Sequence, residues 1–194
     1  MAATTASRNL PLAEQFLPQE GAARYVGYAL MAIAGTILLW ASAQVKVPFF
    51  PVPMTMQTVA VLAIAGTYGF RLGLATIALY MVEGAFGLPV FAGGAGLAYM
   101  AGPTGGFLAG FVVQTAVVGW AVDRGVSKNI IALFAVMLVS EVVMFALGYS
   151  WLANAIGAEK SWMFGVQPFI LGDLFKTAIA AGLVFAGASK LAKK

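Results

Sequence analysis

The 194-residue chain contains neither cysteine nor histidine. The first absence excludes disulfides, thiolate nucleophiles and zinc–thiolate sites. The second excludes imidazole metal ligands and histidine acid–base catalysis. Charge is scarce as well: 9% of the residues are charged, against about 25% in soluble domains. No Gly-x-x-x-x-Gly-Lys-Ser/Thr pattern occurs, and no lysine lies between Lys46 and Lys128, so no ATPase motif is visible. Residues 1–22 lack the basic start, short apolar core and small-residue cleavage site of a signal peptide. There is no internal repeat to support an inverted-repeat transporter. The net charge of +4 is too small and scattered to indicate nucleic acid as a partner.

What remains is apolar. Hydrophobic residues make up 61% of the chain. A membrane-crossing helix needs roughly 20 of them in a row. The pattern predicts an all-α integral membrane protein with six transmembrane helices. Residues 1–22 are expected to form a cytoplasmic tail and residues 23–194 a single membrane domain. The expected spans are 25–45, 55–70, 72–86, 106–122, 129–149 and 167–191. Tight polar turns are expected at 68–73 and 123–128, and a loop at 150–166 whose Trp151 and Trp162 suit a membrane interface.

The cations set the orientation. With six spans, Arg8, Arg24, Arg71, Arg124, Lys128, Lys190, Lys193 and Lys194 fall on one side, and Lys46 and Lys160 on the other. The positive-inside rule then makes both termini cytoplasmic. The ligand-type features gather on the outer half. Pro48, Pro51 and Pro53 break the chain between spans one and two. An apolar, non-helical loop there is a candidate lid over a cavity. Gly93, Gly94, Gly102 and Thr104 lie in the glycine-rich stretch 87–106, where backbone can approach a ligand closely.

Asp173 and Lys176 stand three apart near the start of the last span. That spacing places them on one helix face. Ionisable residues inside a membrane usually pair, face a cavity and mark a ligand path. A structural ion pair is the plainer alternative. Gln57 begins the second span and either caps backbone or faces a ligand. Tyr80 and Glu83, one turn apart, face one cavity, unless Glu83 reaches water instead. Glu141 is a lone carboxyl near the middle of the fifth span. Ala32 and Thr36 have small-xxx-small spacing on the first helix, which lets another helix approach closely; Ala29 lies one turn earlier.

Three classes of function fit these residues. The first is a solute-binding transport subunit without catalysis. The second is a membrane enzyme using Asp173, Glu83 or Glu141 as acid or base; neither paired-carboxylate nor metal-ligand spacing supports it. The third is an autonomous ion-coupled carrier with Glu141 as its proton site.

Four segments carry a resemblance: Lys46-Val47-Pro48-Phe49-Phe50-Pro51-Val52-Pro53-Met54-Thr55-Met56-Gln57-Thr58, Gly87-Leu88-Pro89-Val90-Phe91, Gly102-Pro103-Thr104-Gly105-Gly106-Phe107 and Gly172-Asp173-Leu174-Phe175-Lys176. In this order and spacing the chain resembles BioY, the biotin-specific S component of energy-coupling factor (ECF) vitamin transporters, over about residues 25–190. The resemblance implies the six-helix S-component fold and biotin capture from outside. It implies no enzyme activity and no cofactor beyond the transported vitamin. A transmembrane coupling protein and two ABC-type ATPases would energise the subunit in the cytoplasmic (inner) membrane, among its lipids. Asp173 and Lys176 would contact biotin. Gln57, Tyr80, Glu83, Tyr99 and Lys46 are further lining candidates. The loops with Pro48, Pro51, Pro53, Gly93, Gly94, Gly102 and Thr104 would form the lid. Ala29, Ala32 and Thr36 would meet the coupling protein. Some members carry a basic residue where this chain has Ala95. Here the biotin carboxylate would instead meet backbone amides, Lys46 or Lys160.

Overall fold

A computed structural model of the chain describes residues 11–18 and 20–191. Arg8, Lys193 and Lys194 lie outside them. The described residues are almost wholly helical: α1 (Ala22–Gln44), α2 (Gln57–Ala85), α3 (Gly96–Met100), α4 (Gly105–Asp123), α5 (Ile130–Ile156), α6 (Ala158–Gly165) and α7 (Ile170–Leu191). Five of these, α1, α2, α4, α5 and α7, are long and apolar enough to cross a membrane. The protein is a multi-pass membrane protein.

The helix α2 is not one rod. At Gly69 the backbone takes φ 72° and ψ −168°, a conformation that favours glycine. The chain doubles back there. In an unbroken helix Gln57 and Tyr80 would be about 34 Å apart along the axis. Instead Gln57 Nε2 donates to Tyr80 Oη at 2.8 Å. The turn expected at 68–73 is therefore present, compressed into one residue. Its surroundings leave no room for a side chain: a Cβ on Gly69 would collide with the Asp123 carboxylate and the Pro11 ring. Asp123 closes the corner by accepting the Phe70 amide at 3.3 Å.

The two arms of α2 and the helix α4 form the buried centre, with α1, α5 and α7 packed around them. One end of the bundle gathers Pro11 beside Gly69, Leu12 beside Gly187, and Asp123 at the same corner. The 3₁₀ turn Ala13–Phe16 lies at this end, with Ala13 buried. Arg71, Arg124 and Lys128 follow the same corner and turn in sequence. Arg124 lies over the Trp120 ring, 3.5 Å from its centroid.

The opposite end carries the connections. Proline removes amide donors and blocks helix between α1 and α2. The segment instead forms a small antiparallel hairpin, β1 (Lys46–Val47) with β2 (Met54–Thr55), pairing Lys46 with Thr55 and Val47 with Met54. The glycine-rich stretch is not all loop. A bridge joins Phe91 to Gly94, and the single-turn α3 follows. The expected loop 150–166 is also mostly helical. The fifth helix runs on to Ile156, and α6 folds back after Gly157, whose φ is 86°. The Ser161 hydroxyl ties α6 to α5 by donating to the Tyr149 carbonyl at 2.9 Å. Asn129 starts α5 by accepting the Ile131 and Ala132 amides.

Candidate ligand-binding site

A cavity of about 60 Å³ lies at the connection end of the bundle, with space for a handful of waters. Its floor is the Asp173–Lys176 pair. The two residues are 4% and 8% exposed, and their charges meet at 2.8 Å. Each has a second partner from a distant part of the chain. Thr58 Oγ1 donates to Asp173 Oδ1 at 3.0 Å. Lys176 Nζ donates to the Thr55 carbonyl at 2.7 Å. The hairpin thus delivers an acceptor, α2 a donor, and α7 both charges.

The walls are aromatic. Phe91, Tyr99, Phe107, Phe111, Phe145 and Phe169 line the cavity with Met144. Phe91 and Tyr99 stack at 5.2 Å, and Tyr80 meets the Phe91 ring edge-on at 5.4 Å. Phe91 reaches this position because Gly84 has no side chain; a Cβ there would overlap the ring. Flat apolar walls above one buried charge pair suit a compact, mostly apolar solute with a few hydrogen-bonding groups. Asp173 offers it an acceptor and Lys176 a donor.

The structure distributes the expected site residues unevenly. Asp173, Lys176, Gln57, Tyr99, Pro53 and Thr104 border the cavity. Tyr80 stands behind it, fully buried, receiving Gln57 and donating to the Val90 carbonyl at 2.8 Å. Glu83 turns away towards α1, where it accepts the Thr36 hydroxyl at 3.1 Å. One helical turn is enough to separate it from Tyr80. Lys46 is on the rim, its ammonium on the Ala92 carbonyl. Pro48 is exposed and Pro51 half-buried, the latter following a cis peptide. Gly93 and Gly94 pass beside the Tyr99 ring. The Gly102 carbonyl accepts Trp151 Nε1 at 2.9 Å. Lys160 is exposed on α6. Ala32 and Thr36 are buried, whereas Ala29 is exposed.

Thr58 and the phenylalanines of the walls are not among the expected site residues, whereas Tyr99 is. Thr58 sits one residue after Gln57, and its hydroxyl is the only sign of its role. The phenylalanines are indistinguishable by composition from those facing lipid.

Residues 17–193 match the BioY family. The chain belongs to the BioY family. It is 37% identical over 139 residues to the probable biotin transporter BioY of Pyrococcus horikoshii, covering 71% of this chain and 82% of that protein. It is 36% identical over 154 residues to the biotin transporter BioY of Thermotoga maritima, covering 75% and 86%. The Lactococcus lactis biotin transporter BioY2 is 32% identical over 156 residues, covering 78% and 85%. The fold is shared with the crystal structure of the S-component for biotin from an ECF-type ABC transporter. That match has a TM-score of 0.77 at 20% identity, over 90% of this chain and 95% of the other.

Proposed function

We propose that this BioY protein is the biotin-binding and translocating subunit of an ECF-type uptake transporter. The observation that carries the reading is the Asp173–Lys176 pair, buried at the floor of an aromatic cavity beneath two connecting loops. Biotin has a compact bicyclic head with ureido N–H and C=O groups and an acidic tail. Asp173 accepts a ureido N–H and Lys176 donates to a ligand oxygen. Gln57 and Tyr99 border the head, and Tyr80 holds Gln57 in place. The tail points to the rim, where Lys46 or backbone amides meet its carboxylate. The cavity takes only a handful of waters, so biotin enters by displacing the loops with Pro48, Pro51, Pro53, Gly93, Gly94, Gly102 and Thr104.

The chain crosses the cytoplasmic membrane six times, α2 counting twice because Gly69 doubles it back. Both termini are cytoplasmic, and residues 23–194 form one membrane domain behind the 1–22 tail. The grouping of Pro11, Gly69, Asp123 and Gly187 at one end supports this. The cavity then opens outward. The subunit has no catalytic role and needs no cofactor. A transmembrane coupling protein with two ABC-type ATPases energises it. On α1 that protein meets the exposed face of Ala29, Ile33 and Ile37, because Ala32 and Thr36 are covered by α2.

Purification in detergent without added vitamin, followed by mass spectrometry of released small molecules, tests the substrate. Biotin near one per chain, or saturable uptake on titration, is expected. Absence of both would overturn the assignment.

A further inference from the structure

Below the ligand cavity lies a second polar group that the reading above leaves unused. Gln114 is on α4 and Glu141 on α5, and they are 0% and 3% exposed. Among the described residues, neither carboxylate oxygen of Glu141 and neither polar side-chain atom of Gln114 has a hydrogen-bond partner. Buried polar groups are nearly always satisfied, and here two neighbouring side chains leave most of their hydrogen-bonding capacity unused. Gln114 approaches Glu141 from α4 without closing a well-formed hydrogen bond, and the charged groups acting on Glu141 are Asp173 and Lys176 of α7. Tyr149, further along α5, lines the same groove as Glu141.

The charges do not balance. Lys176 is committed to Asp173 at 2.8 Å and to the Thr55 carbonyl at 2.7 Å. Two carboxylates therefore share one ammonium, at a depth where an uncompensated charge is strongly unfavourable. Glu141 and Gln114 together present three oxygens and one amide nitrogen. That set is rich in acceptors and suits a positively charged species. Asp173 connects the two levels, because it lines both the ligand cavity and the groove bearing Glu141.

We propose that Glu141 and Gln114 hold one monovalent cation, a proton or a sodium ion, whose occupancy raises the affinity of the Asp173–Lys176 pair for its ligand. With the cation in place Glu141 is neutralised, and Lys176 stays on Asp173 at the cavity floor. Without it the Glu141 carboxylate competes with Asp173 for the same ammonium and draws Lys176 out of the ligand site. The inference rests on the reading of Asp173 and Lys176 as the biotin pair.

Biotin titration of the full chain in detergent tests it, from about pH 6 to about pH 9.5, with sodium or with choline in its place. Affinity is expected to fall about fivefold or more as the cation is withdrawn. Loss with rising pH alone assigns a proton; loss with choline alone assigns sodium. Glu141→Gln, a neutral isostere, is expected to bind at the wild type's highest affinity under all conditions. Wild-type affinity constant across both series overturns the proposal, even if Glu141→Gln does not fold. A dependence that persists in Glu141→Gln overturns it too. No biotin binding under any condition would instead sink the assignment of the ligand.

Discussion

The ammonium of Lys176 donates to the backbone carbonyl of Thr55 at 2.7 Å, across 121 residues of sequence. A helix and the β1–β2 hairpin are thereby joined by the same group that pairs with Asp173. Asp173→Asn leaves Lys176 buried without its counter-charge. Biotin affinity is expected to drop by about 10- to 100-fold, the equivalent of ~1–3 kcal/mol. Lys176→Ala leaves Asp173 with only the Thr58 hydroxyl and no counter-charge, and is expected to do at least as much. Isothermal titration checks both. Unchanged affinity in both variants would remove the pair from the ligand site.

Tyr80→Phe deletes one hydroxyl that serves two buried partners, Gln57 and the Val90 carbonyl. Each loses a buried partner. The expected cost is about 1–3 kcal/mol of stability, read as a lower unfolding temperature in detergent. Biotin affinity should fall with it, because Gln57 borders the cavity. Full thermal stability in this variant would show that solvent reaches Gln57.

Gly69→Ala strikes the corner of α2. The left-handed φ penalises any side chain, and Asp123 and Pro11 occupy the space. A loss of more than ~2 kcal/mol is expected, seen as reduced yield of folded protein and an earlier thermal transition. A wild-type-like transition would mean that the corner relaxes freely.

Lys46→Ala removes the side chain that ties the hairpin to Ala92 of the glycine-rich stretch. The hairpin and the glycine-rich stretch then separate more readily. Faster biotin release, by roughly threefold to tenfold, is expected in a chase with unlabelled vitamin. An equal change in the association rate would place Lys46 in steering the ligand rather than in tying the two segments together.

Much of this was legible in advance because charge is so scarce. Asp173 and Lys176 stand out in any apolar helix, and Arg71 beside two glycines already marked a turn. The residues that were not legible depend on partners far along the chain. Spacing places Tyr80 and Glu83 together. Yet Tyr80 turns to Gln57 on the other arm, while Glu83 turns to Thr36 on α1. Ala32 and Thr36 look like an outward docking seam, but α2 already uses that face. The short helices α3 and α6 begin beside glycines with positive φ. Their existence follows from what they pack on, which no local pattern encodes.

The folded-back α2 also bears on distance. Its first arm, from Gln57 to the corner at Gly69, is only about 18 Å long. The hydrocarbon layer it inhabits is about 30 Å thick. This arm is buried at the centre of the bundle, and the longer α1 and α5 stand outside it. The insulating layer separating the cavity floor from the opposite face is thus thinner inside the protein than in the surrounding lipid. A captured solute has less than a full membrane to travel.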